Sequence, residues 1–198
     1  MTMNPRTLDI FNGDADGLCA LHQLRLAEPC ESELVTGPKR EIALMKRVRA
    51  QSGDRLTVLD VSLDKNRDGV LAALAAGASV RYFDHHQPGE IPRHPAFEAH
   101  IDTDAEVCTS LLVNAYLGGA HLPWAVTAAF GDNLDAAARR AAAPLDLSEA
   151  QLATLCSLGV CLNYNGYGET LADLFFDPAE LYRQMRSYVD PFTFAAEA

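Results

Sequence analysis

The 198-residue sequence predicts an α/β fold: a parallel five-stranded sheet with helices on both faces, followed by a helical C-terminal segment. Three observations lead there. Short β-rich apolar runs alternate with helical stretches through the first hundred residues, as in βαβ units. The run Leu56–Ser62 is apolar on both faces, which suits a strand covered from both sides. From Glu106 onward the helical patterns follow one another without intervening strands.

Thr7–Asn12 is expected as the first strand and Gly17–Ala27 as the first helix, with Leu18, Leu21, Leu24 and Leu26 on its buried side. Ser32–Gly37 is a short second strand. Pro38 suits a first helical position and predicts a helix over Lys39–Gln51. Leu56–Ser62 is the third strand, Asp64–Ala76 an alanine-rich helix closed by Gly77, Ser79–Phe83 the fourth strand and Phe97–Ile101 a weaker fifth. Helices are expected over Glu106–Leu117, Trp124–Phe130, Leu134–Ala142, Ser148–Leu158 and Glu180–Val189. A boundary is placed at 143/144, separating a catalytic domain (1–143) from a helical extension or the start of a further domain (144–198).

Composition narrows the function. The chain is 48% hydrophobic and 22% charged, as ordinary globular domains are. No apolar run approaches a membrane span, so no membrane partner is expected. The N-terminus lacks a signal-peptide layout, and five scattered cysteines argue against a disulfide framework; a cytoplasmic protein is expected. Net charge is −11, with three lysines and none after Lys65. The one basic cluster, Lys39, Arg40, Lys46, Arg47, Arg49 and Arg55, is small for a duplex-binding face. Long duplex nucleic acid is therefore not an expected partner, whereas a small phosphorylated ligand reached through bound cations is. An oligomer is compatible with the sequence.

The chemistry gathers where strands end. Asp14 and Asp16 follow the first strand, Asp60 ends the third, and Asp84-His85-His86 follows the fourth. In a parallel sheet those ends share one edge, where ligands bind. Carboxylates crowded there repel unless cations compensate, and hard oxygen donors with imidazoles suit Mn²⁺ or Mg²⁺. Of the two adjacent histidines, one can ligate metal while the other meets substrate, with Asp84 orienting a ring. Taken alone, Asn12-Gly13-Asp14-Ala15-Asp16-Gly17 also fits a calcium loop, but Gln23 falls where a bidentate Glu is required. It fits a phospho-aspartate (haloacid dehalogenase-like) phosphatase too, with Asp14 as nucleophile and Asp16 as acid. That template leaves Asp84-His85-His86 unexplained and wants a lysine between its later motifs; the chain has none after Lys65, so Arg81 or Arg93 would have to serve.

Together these segments resemble the DHH phosphoesterase superfamily, which includes RecJ-type exonucleases, nanoRNases, cyclic-dinucleotide phosphodiesterases, exopolyphosphatases and family II pyrophosphatases. Asn12–Gly17 matches the first motif, Asp60 in V-L-D-V-S the second, Asp84-His85-His86 the third and Asp132 in A-A-F-G-D-N the fourth. Glu106–Leu112 resembles the helix start after the third motif, and the likeness runs from about residue 7 to 135. The resemblance implies hydrolysis of a phosphodiester or phosphoanhydride by a water activated between two divalent cations, Mn²⁺ preferred or Mg²⁺. It implies Asp14 on the first metal, Asp16 and His85 on the second, Asp60 bridging, Asp132 completing a shell, His86 on a substrate phosphate and Asp84 positioning a histidine. Small substrates are expected: a short oligonucleotide or other short single-stranded nucleic acid, a cyclic dinucleotide, or a polyphosphate. Asn12 stands where relatives often carry a histidine or acid, and is expected as a weak ligand or a substrate contact. Lys39 and Arg40 are candidates for holding a phosphate, though the same stretch reads as an ordinary turn and helix start. No glycine- and basic-rich substrate-gripping segment is found before Ala198, so a non-catalytic or partner-dependent metal-binding module is the alternative.

Overall fold

The computed structural model describes residues 4–198. β1 (Thr7–Phe11) leads through α1 (Ala15–Ala27) to β2 (Glu33–Val35). After an irregular stretch come β3 (Arg55–Leu59), α2 (Leu63–Ala75), β4 (Ser79–Asp84) and β5 (Phe97–Ile101). The helices α3 (Thr109–Tyr116), α4 (Leu122–Gly131), α5 (Asp135–Ala142), α6 (Glu149–Asn165), α7 (Pro178–Met185) and α8 (Pro191–Glu197) follow. The five strands are all parallel, in the order β2-β1-β3-β4-β5. The chain runs from β1 outward to β2 and then returns across β1 to β3, so the strand order reverses between β1 and β3. Such a reversal opens a crevice at the carboxyl ends of the strands.

The two-residue period of a strand divides the core into two layers. Leu8, Ile10, Leu56, Val58, Val80 and Tyr82 face α2 and the segment around Leu44 and Met45. Phe11, Leu59 and Phe83 face the opposite layer, built on α1 with α3, α4, α6, α7 and α8. Leu155 and Leu162 of α6 and Leu181 of α7 belong to that same layer, so residues after 144 pack into the core of the sheet. Gly159 lets α6 approach α4 closely, since a Cβ there would lie 2.1 Å from the Thr127 carbonyl oxygen.

One ion pair is buried in the α1 layer. Asp9 on β1 accepts from the Arg25 guanidinium through both oxygens and from the Ser32 hydroxyl, and Arg25 also reaches the Thr57 hydroxyl at 3.2 Å. The carboxylate is fully buried and the arginine side chain 8% exposed. Removing one partner of such a pair costs about 3–5 kcal/mol, because the other charge stays buried alone.

Most expected elements are present, with boundaries moved. The helix expected over Lys39–Gln51 is not formed; only a single 3₁₀ turn, Leu44–Arg47, occurs there. Its backbone groups are claimed by other segments: the Lys39 N–H donates to the Gly166 carbonyl, and Asn66 of α2 pairs with the Met45 N–H and the Ile42 carbonyl. α3 starts at Thr109 rather than Glu106, and α6 runs on to Asn165 instead of stopping near Leu158. Gly77 adopts φ 88° just past α2, the left-handed closure expected of it.

The C-terminal segment is pinned to the sheet layer by adjacent carbonyls. His22 on α1 donates to the Tyr188 carbonyl at 2.8 Å, and the Trp124 indole donates to the Val189 carbonyl at 2.9 Å. The two rings meet edge-on at 4.6 Å. Burial, opposed by the Tyr188 hydrogen bond and aided by His121, pulls the His22 pKa from 6.5 down to about 4. Below pH ~6.5 the unfolded chain therefore takes a proton that the folded chain refuses until about pH 4, and stability falls across that window. His22→Gln, which keeps a donor for Tyr188, is expected to lose roughly 2–3 kcal/mol less stability than wild type between pH 7.5 and 4.5. Urea denaturation at the two pH values measures this, and equal losses in both proteins would contradict it.

Candidate metal-binding site

The carboxyl ends of β1, β3 and β4 carry the acidic residues, and each carboxylate is fixed by a different local device. Asp14 is the N-cap of α1: its Oδ1 accepts from the N–H groups of Asp16 and Gly17 at 3.1 and 3.2 Å. Asp16, in the first turn of α1, accepts from the N–H groups of Thr109 and Ser110, both at 2.7 Å. These are free donors at the start of α3, which is why that helix begins there. The Ser110 hydroxyl adds a bond to the Asp16 carbonyl at 2.9 Å. Asp60, directly after β3, has φ 57°, and its Oδ1 accepts from the Thr109 hydroxyl at 3.2 Å. Asp132 is the C-cap of α4.

His85 and His86 take opposite roles. The His85 Nδ1 lies 3.0 Å from the Val107 carbonyl, which can only accept, so in the neutral ring Nδ1 carries the proton and Nε2 offers its lone pair. That Nε2 faces Asp60 Oδ1 at 3.5 Å, Asp132 Oδ2 at 3.7 Å and Asp16 Oδ2 at 4.0 Å. These gaps are too long for hydrogen bonds. They match ligand atoms around one hexacoordinate ion, roughly 3 Å apart when adjacent and 4 Å when opposed at a ~2.1 Å radius. Acceptors facing one another in this way could hold a cation between them. Among the described residues, two ligand groups meet the spacing for one, Asp16-His85-Asp132 and Asp60-His85-His86. His86 turns its Nδ1 to Asp84 Oδ1 at 2.7 Å and is 45% exposed, so its Nε2 is open to the crevice. Asp84 is fully buried and also accepts from the Leu63 N–H at 3.4 Å.

The electrostatics record the crowding. Burial first, and then Asp16, Asp14, Asp132 and Asp84, hold the Asp60 carboxyl well above its ordinary range. Burial, Asp16 and Asp14 push Asp132 up to about 6, against the pull of Lys39 and His85. The bond to Asp84 raises His86, with burial opposing.

Of the remaining expected residues, Lys39 enters the site and Arg40 does not. Arg40 is exposed and pairs with Glu169 at 2.9 Å. The Lys39 ammonium lies 2.7 Å from Asp14 Oδ2, 2.9 Å from Asn163 Oδ1 and 3.4 Å from Asp132 Oδ1. Burial opposes its charge, but Asp14, Asp132 and Asp60 outweigh that and raise its pKa. Asn12 is buried, and its side-chain oxygen has no hydrogen-bond partner among the described residues. Sequence reasoning did not assign Thr109, Ser110 or the Val107 carbonyl as supports, nor Asn163 as a partner of Lys39. The available signal for Asn163 was the run Asn163-Tyr164-Asn165-Gly166-Tyr167-Gly168, unusually polar and aromatic between helices.

No protein-family model matches the sequence, and no curated protein matches it. Solved structures do. The DHH domain of a protein described as belonging to a family of ribosomal proteins matches with TM-score 0.56 at 14% identity, over 98% of this chain and 56% of that one. A manganese-bound exonuclease RecJ matches with TM-score 0.47 at 17% identity, over 96% and 55%. RecJ in complex with Mn²⁺ from Thermus thermophilus matches with TM-score 0.46 at 13% identity, over 90% and 34%. The chain thus spans about half or less of each of these proteins. The first likeness shows that it has the fold of a DHH domain. No helix among the described residues is long and apolar enough to cross a membrane.

Crowded carboxylates imply a trade between stability and metal binding. Asp60→Asn keeps the side-chain shape and tolerates a left-handed backbone, and it removes one charge. The variant is expected to melt higher than wild type without metal at pH 7.5, and to gain less than half of the wild-type rise in Tm on adding Mn²⁺. Thermal melts with and without Mn²⁺ check both halves.

Proposed function

We propose that this chain is a metal-dependent phosphoesterase domain of the DHH type, hydrolysing a phosphodiester or phosphoanhydride bond in a small phosphorylated substrate. The observation that carries this reading is the His85 Nε2 lone pair directed at Asp16, Asp60 and Asp132 across gaps of 3.5–4.0 Å. Asp16, His85 and Asp132, with Asp60 facing the same His85 nitrogen, would hold a divalent cation, Mn²⁺ or Mg²⁺. Such an ion lowers the pKa of a bound water and neutralises phosphoryl oxygens. The water oxygen would bond to phosphorus as the P–O bond to the leaving group breaks, the water giving one proton up to solvent and the leaving oxygen taking one from it.

The protein's own groups supply the rest. His86, held by Asp84, presents Nε2 to a phosphoryl oxygen in the crevice. Val107 holds His85 in the tautomer that can ligate. Thr109 and Ser110 fix Asp60 and Asp16 so that neither swings out when substrate arrives. Asn12, just after β1, has a buried amide oxygen without a partner among the described residues, which leaves it free for substrate or metal. Around Asp14 the arrangement departs from the two-cation expectation, because Lys39 is there. The net charge of −11 favours a short oligonucleotide, a cyclic dinucleotide or a polyphosphate over long nucleic acid.

The test is a panel of phosphate esters with Mn²⁺, from bis-p-nitrophenyl phosphate to short oligonucleotides, cyclic dinucleotides and polyphosphate. Turnover is expected on at least one class, with His85→Ala and Asp60→Ala each slower by at least about 100-fold. Metal-loaded protein inactive on the whole panel would favour the non-catalytic module instead. Lys39 beside Asp14 is the one observation that favours the phospho-aspartate reading. A phosphoryl group trapped covalently on Asp14 would establish it, and hydrolysis without such an intermediate would remove it.

A further inference from the structure

The geometry points to a site that takes one divalent ion per chain, the ammonium of Lys39 serving as a permanent second cation. This rests on the metal-dependent reading above and sharpens it. An ammonium has three N–H donors, and Lys39 has three acceptors for them: Asp14 Oδ2, Asn163 Oδ1 and Asp132 Oδ1. Both Asp14 oxygens are engaged as a result, because the other one caps α1. An ion ligated by Asp14 would have to share Oδ2 with a cation already within hydrogen-bonding distance. The groups able to surround an ion among the described residues agree with this: both include His85, and neither includes Asp14.

Lys39 is not a loose surface side chain that has fallen into an acidic hole. Its backbone N–H is bonded to the Gly166 carbonyl at 2.8 Å, and its ammonium lies 5.9 Å from the centre of the Tyr167 ring. The preceding Gly37 packs against the first loop so closely that a Cβ on Gly13 would come within 2.1 Å of the Gly37 carbonyl oxygen. Asn163, which holds the third N–H, is itself buried near the end of α6. Three segments far apart in sequence, the loop after β1, the stretch after β2 and the end of α6, thus fix the ammonium between Asp14 and Asp132. A lysine is a point charge suited to phosphate. A substrate phosphoryl group lying between the ion and Lys39 would find positive charge on both sides, with only one cation drawn from solution.

The experiment is a metal count. Wild-type protein and Lys39→Gln, each saturated with Mn²⁺ and freed of excess, are assayed for manganese per chain by elemental analysis. Electron paramagnetic resonance reads whether paired, exchange-coupled ions are present, and circular dichroism confirms folding. One uncoupled ion is expected in wild type. Lys39→Gln frees Asp14 Oδ2 and one oxygen of Asp132, so a second, coupled ion is expected there. Two coupled ions in wild type would overturn the inference and leave the metal-dependent reading standing. No ion in wild type would overturn both. One ion in both proteins would also overturn it, since Lys39 would then not govern how many ions bind. The wild-type count decides the first point even if the variant fails to fold.

Discussion

The mutual repulsion of Asp14, Asp16, Asp60, Asp84 and Asp132 is the constraint around which the rest of this protein is arranged. The strand order forces the encounter: the turn-back between β1 and β3 sets Asp14, Asp16 and Asp60 at one crevice, and β4 adds Asp84 beside them. The carboxylates are then stabilised by separate donors, except for one that two of them share. Asp14 takes the N–H groups of its own helix, Asp16 those of α3, Asp84 the ring of His86, and Asp14 and Asp132 share Lys39. Asp60 receives a single hydroxyl, and burial among the other acids holds its carboxyl well above its ordinary range. The site stores electrostatic tension at that point, where a cation would relieve it.

That tension also explains why helices from the second half of the chain are needed at the first half's crevice. α3 is capped by Asp16, α4 ends in Asp132, and α6 brings Asn163 to Lys39. The pins from His22 and Trp124 to the Tyr188 and Val189 carbonyls close the same layer from its far side. The buried Arg25–Asp9 pair completes the α1 layer away from the crevice.

Much of this was legible in the sequence. Five parallel strands follow from the alternation of apolar β-rich runs with helices, and Asp14, Asp16, Asp60 and Asp84 could be placed because they come after such runs; Asp132, at the end of a helix, was reached through the resemblance alone. That His85 and His86 take different partners, Val107 and Asp84, follows from adjacent side chains pointing apart. Less accessible were features set by contacts distant in sequence. Pro38 and the residues after it carry a helical signal, but Gly166 and Asn66 take the backbone groups a helix would use. Arg40 and Lys39 are neighbours of like charge, yet one meets Glu169 at the surface and the other enters the crevice. Nothing local to that dipeptide distinguishes them; the end of α6, more than 120 residues later, does. The support of Asp16 by α3 was hidden for the same reason, since a cap supplied by another element leaves no local capping signature.

The backbone at Asp60 limits what this position can become. With φ at 57°, it lies where glycine, asparagine and aspartate are the residues readily accommodated. Only one of those three carries a charge. Glutamate, the substitution that would preserve charge elsewhere in the cluster, is disfavoured here by the main chain before any question of ligand reach arises. The reach of the carboxylate at the centre of the crevice is therefore written into the turn after β3. Among sequences sharing this turn, variation at position 60 should divide sharply: aspartate where the charge is kept, asparagine or glycine where it has been given up, with few intermediates.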